Sequence, residues 1–442
     1  MAGGTFLSQN KTRPGVYINF KAIIESLSSL GTRGIMTMPV AMSWGAPLTE
    51  LLSTDLVDGK SLAKIGYTVY DAESQIYREA LKHAYKALIY RLDTGGVKAT
   101  GTITPLTITA KYTGIVGNGI SVSVIVNGAS FDVVTYYLGA EKDRQTATAI
   151  VSLISNAWVD FSGTGNLVAN AGVTLVTGAN GTVSDATYTT YLNAIKSYKW
   201  NTMGIPQNSA AAVLAVKTFI NDQRENLGKR VQAVVFNATA DYEGIINVRQ
   251  GYTTATETIS PETFVAFMAG LSAGSEMNIS NTYKVIEGAT SITYPIGVTP
   301  YGDAEIESAL AVGDLVLSAR QDGAIVIEKD INSLHTFTIN KSYSFSKNRV
   351  IRTLDEINNS LKSVFEIGYI GKVDNNDYGR NVFKGDVIAY LNKLQNANAI
   401  QNFDSATDVT VGPGLSIDSV VASLAIQPVD AMEKIYMTVM VG

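Results

Sequence analysis

Between Val97 and Gly181 the chain changes its hydrophobic period, and this break constrains any fold drawn through it. The stretch is rich in Thr, Val, Gly and Ser, and its apolar residues alternate. That predicts strands over 102–112, 120–126, 131–138 and 173–176, separated by Gly and Asn turns. Within it only 143–156 reads as a helix. On both sides the spacing turns helical and is punctuated by short apolar runs, the pattern of α/β units. A β-rich block between two α/β stretches predicts a small β-sandwich-like domain over 97–181, spliced into a discontinuous α/β core formed by 21–96 and 182–335. An α+β domain is expected over 336–432, with terminal arms at 1–20 and 433–442.

In the first α/β stretch, 34–42 reads as a strand interrupted by Pro39, which favours a sheet edge or a bend. Asp71 is placed to cap a helix with Ile76 and Ala80 inward, and 86–92 reads as the next strand. After the β block, a helix over 209–227 presents Val213, Val216, Ile220 and Leu227 and stops at Gly228, followed by a buried strand over 231–236. Ser260 followed by Pro261 marks a helix start. Further on, a helix over 348–366 buries Val350, Leu354, Ile357, Leu361 and Val364; a hairpin around 374–379 and a helix over 385–394 follow.

At 442 residues the chain exceeds what one hydrophobic core usually organises, so several domains are expected. Hydrophobic residues make up 46% and charged residues 17%, the balance of a folded protein rather than a disordered one. The formal net charge is -5 and no basic run of five occurs, which argues against direct nucleic-acid binding through phosphate neutralisation. The lack of cysteine excludes disulfides and thiolate metal sites. No secretory signal is read at the N-terminus, and nothing approaches the roughly 20 apolar residues that span a bilayer, so no membrane insertion is expected.

Several strings imitate chemistry. Gly270-Leu271-Ser272-Ala273-Gly274 spells the G-x-S-x-G of serine hydrolases, where the serine sits on a turn between strand and helix. The residues before it, 263–269, have a helical pattern, so the string reads as a helix end and loop. A hydrolase built on Ser272 with His335 stands as the alternative enzyme reading. His83, at helical spacing from Ile76 and Ala80, and His335, on a strand face with Phe337 and Ile339, are expected to be structural. Gly114-Ile-Val-Gly117-Asn-Gly119 has the wrong spacing for a phosphate loop and no helix after it, so a glycine-rich turn is expected. Asp374-Asn-Asn-Asp-Tyr-Gly379 imitates a calcium loop, but Tyr378 holds the fifth place and Gly385 the twelfth, which favours a hairpin turn. Zinc-protease and P-loop strings are missing. Neither a cofactor nor a metal is expected, nor enzymatic activity.

The two ends carry a different signal. Ile435, Met437, Val439 and Val441 fall on one face of a strand pattern, and Tyr436, Thr438 and Met440 on the other. Apolar groups on both faces call for cover, yet no following segment pairs the edge. Near the N-terminus, Arg13-Pro14-Gly15-Val16-Tyr17-Ile18-Asn19-Phe20 is equally short and strand-like. Such segments suit exchange, in which an extended arm adds to another molecule's sheet. Arg13, Pro14, Gly15, Val16, Tyr17, Ile18 and Phe20, with Lys434, Ile435, Tyr436, Met437, Thr438, Val439, Met440 and Val441, are the candidate subunit-interface residues.

The N-terminal Arg13-Pro14-Gly15-Val16-Tyr17 and the C-terminal Gln427-Pro428-Val429-Asp430-Ala431-Met432-Glu433-Lys434-Ile435-Tyr436 resemble the two ends of contractile phage tail sheath proteins. Between them, Ala110-Lys-Tyr-Thr-Gly-Ile-Val-Gly-Asn-Gly-Ile120 resembles the start of that family's inserted β domain, and Gly379-Arg-Asn-Val-Phe-Lys384 a turn in its C-terminal domain. The resemblance runs over nearly the whole chain in order. It implies a subtilisin-like topology for the α/β domain without its catalysis, and a C-terminal domain whose sheet receives exchanged terminal strands. It further implies a homo-oligomeric sheath of stacked rings around a tail tube protein, bounded by baseplate and tail terminator proteins, assembled in the host cytoplasm and released by lysis. By resemblance the inserted domain decorates the outside. Besides the hydrolase, a non-contractile structural or adhesive protein is the other alternative.

Overall fold

The computed structural model describes residues 33–207 and 209–441, with the backbone of two three-residue strands, Ala2–Gly4 and Gly15–Tyr17, which pair in parallel. By packing, residues 33–352 with 430–441 form one unit and residues 353–429 another.

The larger unit opens with β1 (Ile35–Val40), β2 (Leu48–Leu52), α1 (Gln75–Leu81) and β3 (Lys86–Arg91). The chain then builds β4 (Lys98–Ile103), β5 (Leu106–Thr113), β6 (Ile120–Asn127), β7 (Ser130–Tyr137), β8 (Ala140–Ala147), β9 (Val159–Ser162) and β10 (Asn170–Thr174). It returns through α2 (Asp185–Ile195), β11 (Thr202–Ile205), α3 (Ala210–Asn221), β12 (Gln232–Phe236), β13 (Ile245–Val248), β14 (Gly251–Thr254), α4 (Pro261–Gly274), β15 (Ala289–Thr293), α5 (Asp303–Ala311), β16 (Asp314–Leu315), β17 (Leu317–Ala319) and β18 (Ile325–Ile327).

Seven strands form the central sheet in the order β16-β13-β12-β11-β1-β3-β2, parallel except for the antiparallel β2 edge. Alternation along these strands divides the core between two faces. Met36, Met38, Ile89, Val234, Phe236 and Val248 pack with Ala80 of α1 and Val265 and Ala269 of α4. Leu88, Met203, Ile205, Ala233 and Val235 pack on the other face with Tyr191 of α2 and Val216 and Ile220 of α3. Two outward polar groups of the edge strand β2 are occupied: Lys64 donates to the Glu50 carbonyl at 3.0 Å, and the Leu52 amide donates to Asp55 at 2.8 Å.

Helix starts follow the sequence where a cap is present. The Ser209 hydroxyl accepts from the Ala212 amide, and Ser260 from the Thr263 amide with Pro261 at the first helical position. Asp71 does not cap α1; its carboxylate turns back to the amide and hydroxyl of Thr68. Along α3, Val216 and Ile220 are buried, but Leu227 is exposed because a π turn over Asp222–Asn226 rotates it away. Pro39 does not mark a sheet edge. It lies on β1 between β11 and β3, and the β11 pairing extends only to Thr37. The Val40 carbonyl accepts from Leu92 on the β3 side, so its neighbour Pro39 turns its missing donor toward the unpaired β11 side.

Strands β4 to β10 make two antiparallel sheets, β8-β7-β6-β10 and β9-β5-β4, which share one hydrophobic core containing Ile108, Ala110, Val122, Val133 and Val159. The expected single strand over 102–112 is two strands, divided by a turn at Thr104–Pro105. The expected helix over 143–156 is instead β8 and a short 3-10 turn, Ile150–Ser152. Its Arg144 and Gln145 are helix formers, but they sit on an edge strand paired to β7, where tertiary pairing overrides propensity. The chain leaves and rejoins the α/β core side by side, because Thr94 and Thr182 exchange both backbone hydrogen bonds at 3.0 and 2.9 Å. Trp44 of the core projects into the β core, fully buried, stacked on Trp158 at 5.6 Å and edge-on to Tyr112 at 5.1 Å.

A buried ion pair sits at this junction. Arg91 grips Asp93 at 2.6–3.0 Å and also donates to the Thr113 carbonyl, while Asp93 accepts from the Met42 amide at 2.9 Å. Burial pushes the Asp93 carboxyl up, but the Arg91 guanidinium and the Met42 amide overcome it and hold it below the usual value.

Helix α6 (Asn348–Gly368) carries the boundary between the units. Along it Val350, Ile357 and Val364 are buried, while Leu354 and Leu361 are half-buried. In the C-terminal unit it is followed by α7 (Asp377–Asn396), β19 (Ile400–Gln401), β20 (Val409–Pro413), β21 (Val420–Leu424) and β22 (Gln427–Pro428). Strand β20 pairs antiparallel with β21, and β19 with β22. Phe365, Tyr369 and Phe383 form a ring cluster at 5.0–5.9 Å between α6 and α7. The hairpin expected at 374–379 is the start of α7: the Asn376 side chain accepts from the Gly379 amide at 2.8 Å. A Cβ at Gly379 would lie 2.1 Å from the Asp374 carbonyl oxygen, so the glycine serves a tight helix start rather than a turn between strands.

Candidate subunit interface

The tail groups with the α/β unit, and its base is fixed there by side chains. Lys347, 5% exposed at its side chain, forms ion pairs with Glu433 and with Asp430, the latter at 3.6 Å. The other Glu433 oxygen accepts from the Thr282 hydroxyl at 2.9 Å, and that hydroxyl oxygen accepts from the Asp330 amide at 3.0 Å. Asp330 is itself buried against Arg352 at 2.9 Å, Asn348 at 2.9 Å and the Asn281 amide at 3.0 Å. A polar network therefore seats the tail as far as Glu433.

Beyond that point the side chains stand bare. Ile435, Tyr436, Met437, Val439, Met440 and Val441 are each 72–92% exposed, on both faces of the strand pattern. The segment expected to be a strand joins no ladder among the described residues. Lys434 and Thr438 are exposed as well. Of the N-terminal candidates, Gly15, Val16 and Tyr17 form the short strand described above. Arg13, Pro14, Ile18 and Phe20 lie outside the described residues.

The strings that imitate catalysis are structural where they fall. Ser272 lies within α4, 2% exposed, and its hydroxyl has no hydrogen-bond partner among the described residues. The flanking glycines explain the string. A Cβ at Gly270 would meet the Ala80 carbonyl oxygen at 2.1 Å, and one at Gly274 the His83 carbonyl oxygen at 2.0 Å. Four residues apart on one helix face, they let α4 press against the end of α1. That spacing was visible in sequence, but it reads as a packing seam only once the facing helix is known.

His335 sits on a loop, not on a strand. Its Nδ1 is 3.0 Å from the Ser333 carbonyl oxygen, and its amide donates to Asp241 at 2.9 Å. His83 packs edge-on against Phe267 at 5.1 Å. Burial, then Lys284 and Lys82, hold its imidazole below its ordinary pKa. In the glycine loop Gly114 has φ +118° and its missing Cβ makes room for the Ser43 carbonyl, while the Ile115 amide is taken by Asn180.

A layered α/β unit bearing a β domain, followed by an α+β unit and a bare apolar tail, is the build of a structural subunit. Residues 94–180 match the phage tail sheath protein beta-sandwich domain, 181–333 the phage tail sheath protein central domain, and 340–442 the phage tail sheath C-terminal domain. The chain is 34% identical to Phage-like element PBSX protein XkdK of Bacillus subtilis strain 168, over 100% of both chains. It is similar to the crystal structure of the sheath tail protein from Desulfitobacterium hafniense at 39% identity and a TM-score of 0.81, covering 96% of this chain and 99% of that one. It shares a fold with the anti-feeding prophage helical sheath in its contracted state, at 11% identity and a TM-score of 0.55 over 97% and 99% of the two chains. This chain belongs to the phage tail sheath protein family.

Proposed function

We propose that this chain is the repeating subunit of a sheath that polymerises around a tail tube, linked by exchanged terminal arms, and contracts to drive the tube through a target envelope. The observation that carries the reading is the bare tail from Lys434 to Val441 beyond a base fixed at Glu433. Fully burying an apolar side chain is worth about 1.5–3 kcal/mol, so seating these residues on a neighbour would gain on the order of 10 kcal/mol before the cost of ordering them. The N-terminal segment from Arg13 to Phe20 is the second proposed arm. The α/β domain with its subtilisin-like topology forms the body, 97–181 the outward decoration, and 336–432 the domain that receives strands. Tail tube, baseplate and terminator proteins are the proposed partners, in a tail or tail-like particle assembled in the bacterial cytoplasm and released by lysis. Contraction needs no nucleotide in this scheme: small differences per subunit sum over a cooperative polymer leaving a trapped extended state.

The test is truncation after Met432, beside Tyr436→Pro and Val439→Pro, whose N–H groups point to opposite sides of a strand, so that one of them removes a ladder donor whichever side of the tail pairs. All three are expected to keep the circular dichroism of the parent, and the truncation and at least that proline variant to lose its tubes in electron micrographs and its fast sedimentation. Full-length tubes from a natively folded truncated chain would refute the reading.

A further inference from the structure

The network at the tail base has a role beyond local packing. We infer that Lys347 is the anchorage of the tail: it sets the length of free arm available to a neighbour and is the point at which pull on that arm enters the α/β unit. The inference rests on the proposed arm exchange and specifies where the arm begins.

Lys347 is placed for this. Its backbone bridges Ile331, and its ammonium lies 5.6 Å over the Tyr343 ring while holding both Asp430 and Glu433. Thr282 fixes the second Glu433 oxygen and is itself held by the Asp330 amide, so Glu433 is gripped from two segments. With the grip closed, the free arm is 434–441; with it open, residues 430–433 join it. At about 3.3 Å per extended residue, that adds about 13 Å of slack. A polymer whose subunits are spaced by their arms cannot tolerate slack of that size without losing its regular repeat.

The chain has no cysteine, so two introduced thiols are its only labelling sites. Spin labels at Glu307→Cys, exposed on α5, and Thr438→Cys, exposed on the tail, report the spread of tail positions in the purified full-length subunit. For a flexible chain this spread grows as the square root of its free length, and freeing four residues ahead of position 434 widens it by about a third. Glu433→Gln with Thr282→Val, and separately Lys347→Met, are expected to widen the distance distribution by that amount. Lys347→Arg restores the narrow one. In assembly, the opened variants should form tubes with irregular ring spacing, and inserting four Gly/Ser residues after Glu433 should give the same irregularity. An unchanged distance distribution in Glu433→Gln with Thr282→Val, at an unchanged unfolding midpoint, would overturn the anchorage. A widened distribution together with tubes from the chain truncated after Met432 would overturn the arm exchange and leave the anchorage standing.

Discussion

Gly270→Ala and Gly274→Ala decide between two physical effects of opposite sign. In an exposed helix, alanine in place of glycine is worth about 1 kcal/mol of added stability. In α4 the new Cβ would lie 2.1 Å from the Ala80 carbonyl oxygen, or 2.0 Å from that of His83, where ordinary contact begins near 3.4 Å. The obstructing atoms are backbone, so they cannot swing aside; α4 must lift from α1 by more than an ångström, disturbing Val265 and Ala269 on the central sheet. Overpacking of this kind costs about 1–3 kcal/mol and more when backbone must move, so packing wins over propensity. At an unfolding entropy of about 2.1 cal/mol/K per residue, a unit running over Arg33–Arg352 and the tail shifts by about 1.5 °C per kcal/mol, so each variant should melt a few degrees below the parent by circular dichroism. Ser272→Ala is the internal control. It removes a buried hydroxyl without a partner, a defect worth about 1–3 kcal/mol, and should leave the midpoint unchanged or raise it. A Gly270→Ala chain that melts at or above the parent temperature would refute the packing seam, and loss of stability in Ser272→Ala would refute the unpartnered hydroxyl.

Replacing 95–181 by a short Gly/Ser linker joins Thr94 to Thr182, which already pair, but uncovers Trp44. The indole keeps its bond to the Ala63 carbonyl, so the cost stays below the roughly 4–6 kcal/mol of exposing a whole aromatic side chain of 150–250 Å² at about 25 cal/mol per Å², and the remaining chain should unfold cooperatively at a lower midpoint; non-cooperative melting would count against the insertion being modular. The Asp93 carboxyl titrates lower when folded than unfolded, so the stability it contributes is present above the ordinary carboxylate value of 3.8 and is lost as pH falls through the folded value. Asp93→Asn should therefore lower stability at neutral pH and flatten the acid limb of urea midpoint against pH; an acid limb as steep as the parent's would argue against the pair.

What could be read from sequence was what local chemistry alone decides. Ser260 followed by Pro261 announced its helix because a hydroxyl cap works whatever lies beyond. The buried strands at Lys86–Arg91 and Gln232–Phe236 were legible from continuous apolar runs. Misreadings arose where a distant partner decides the outcome. Arg144 and Gln145 of β8 look helical until β7 lies beside them, and Asn376 to Gly379 looks like a turn until the helix it caps is seen. In the tail, the alternation of Ile435 to Val441 was legible, and these apolar side chains stand exposed on both faces. The grip of Lys347 and Thr282 on Glu433 joins residues 86 and 151 positions apart, and no local pattern encodes it.

The guarded margins of the central sheet bear on how such a chain can be made in quantity. One margin ends in the two-residue strand β16, buried at both positions, and along the other Lys64 and Asp55 occupy outward backbone groups of β2. Strand addition along either margin, the route by which crowded sheet proteins fuse into disordered fibres, finds few free groups to start from. Under the proposed arm exchange, newly made chains could then accumulate to high concentration with their capacity for strand pairing held in the tail, so that growth would be addressed to a chosen neighbour and crowding would hasten order rather than precipitation.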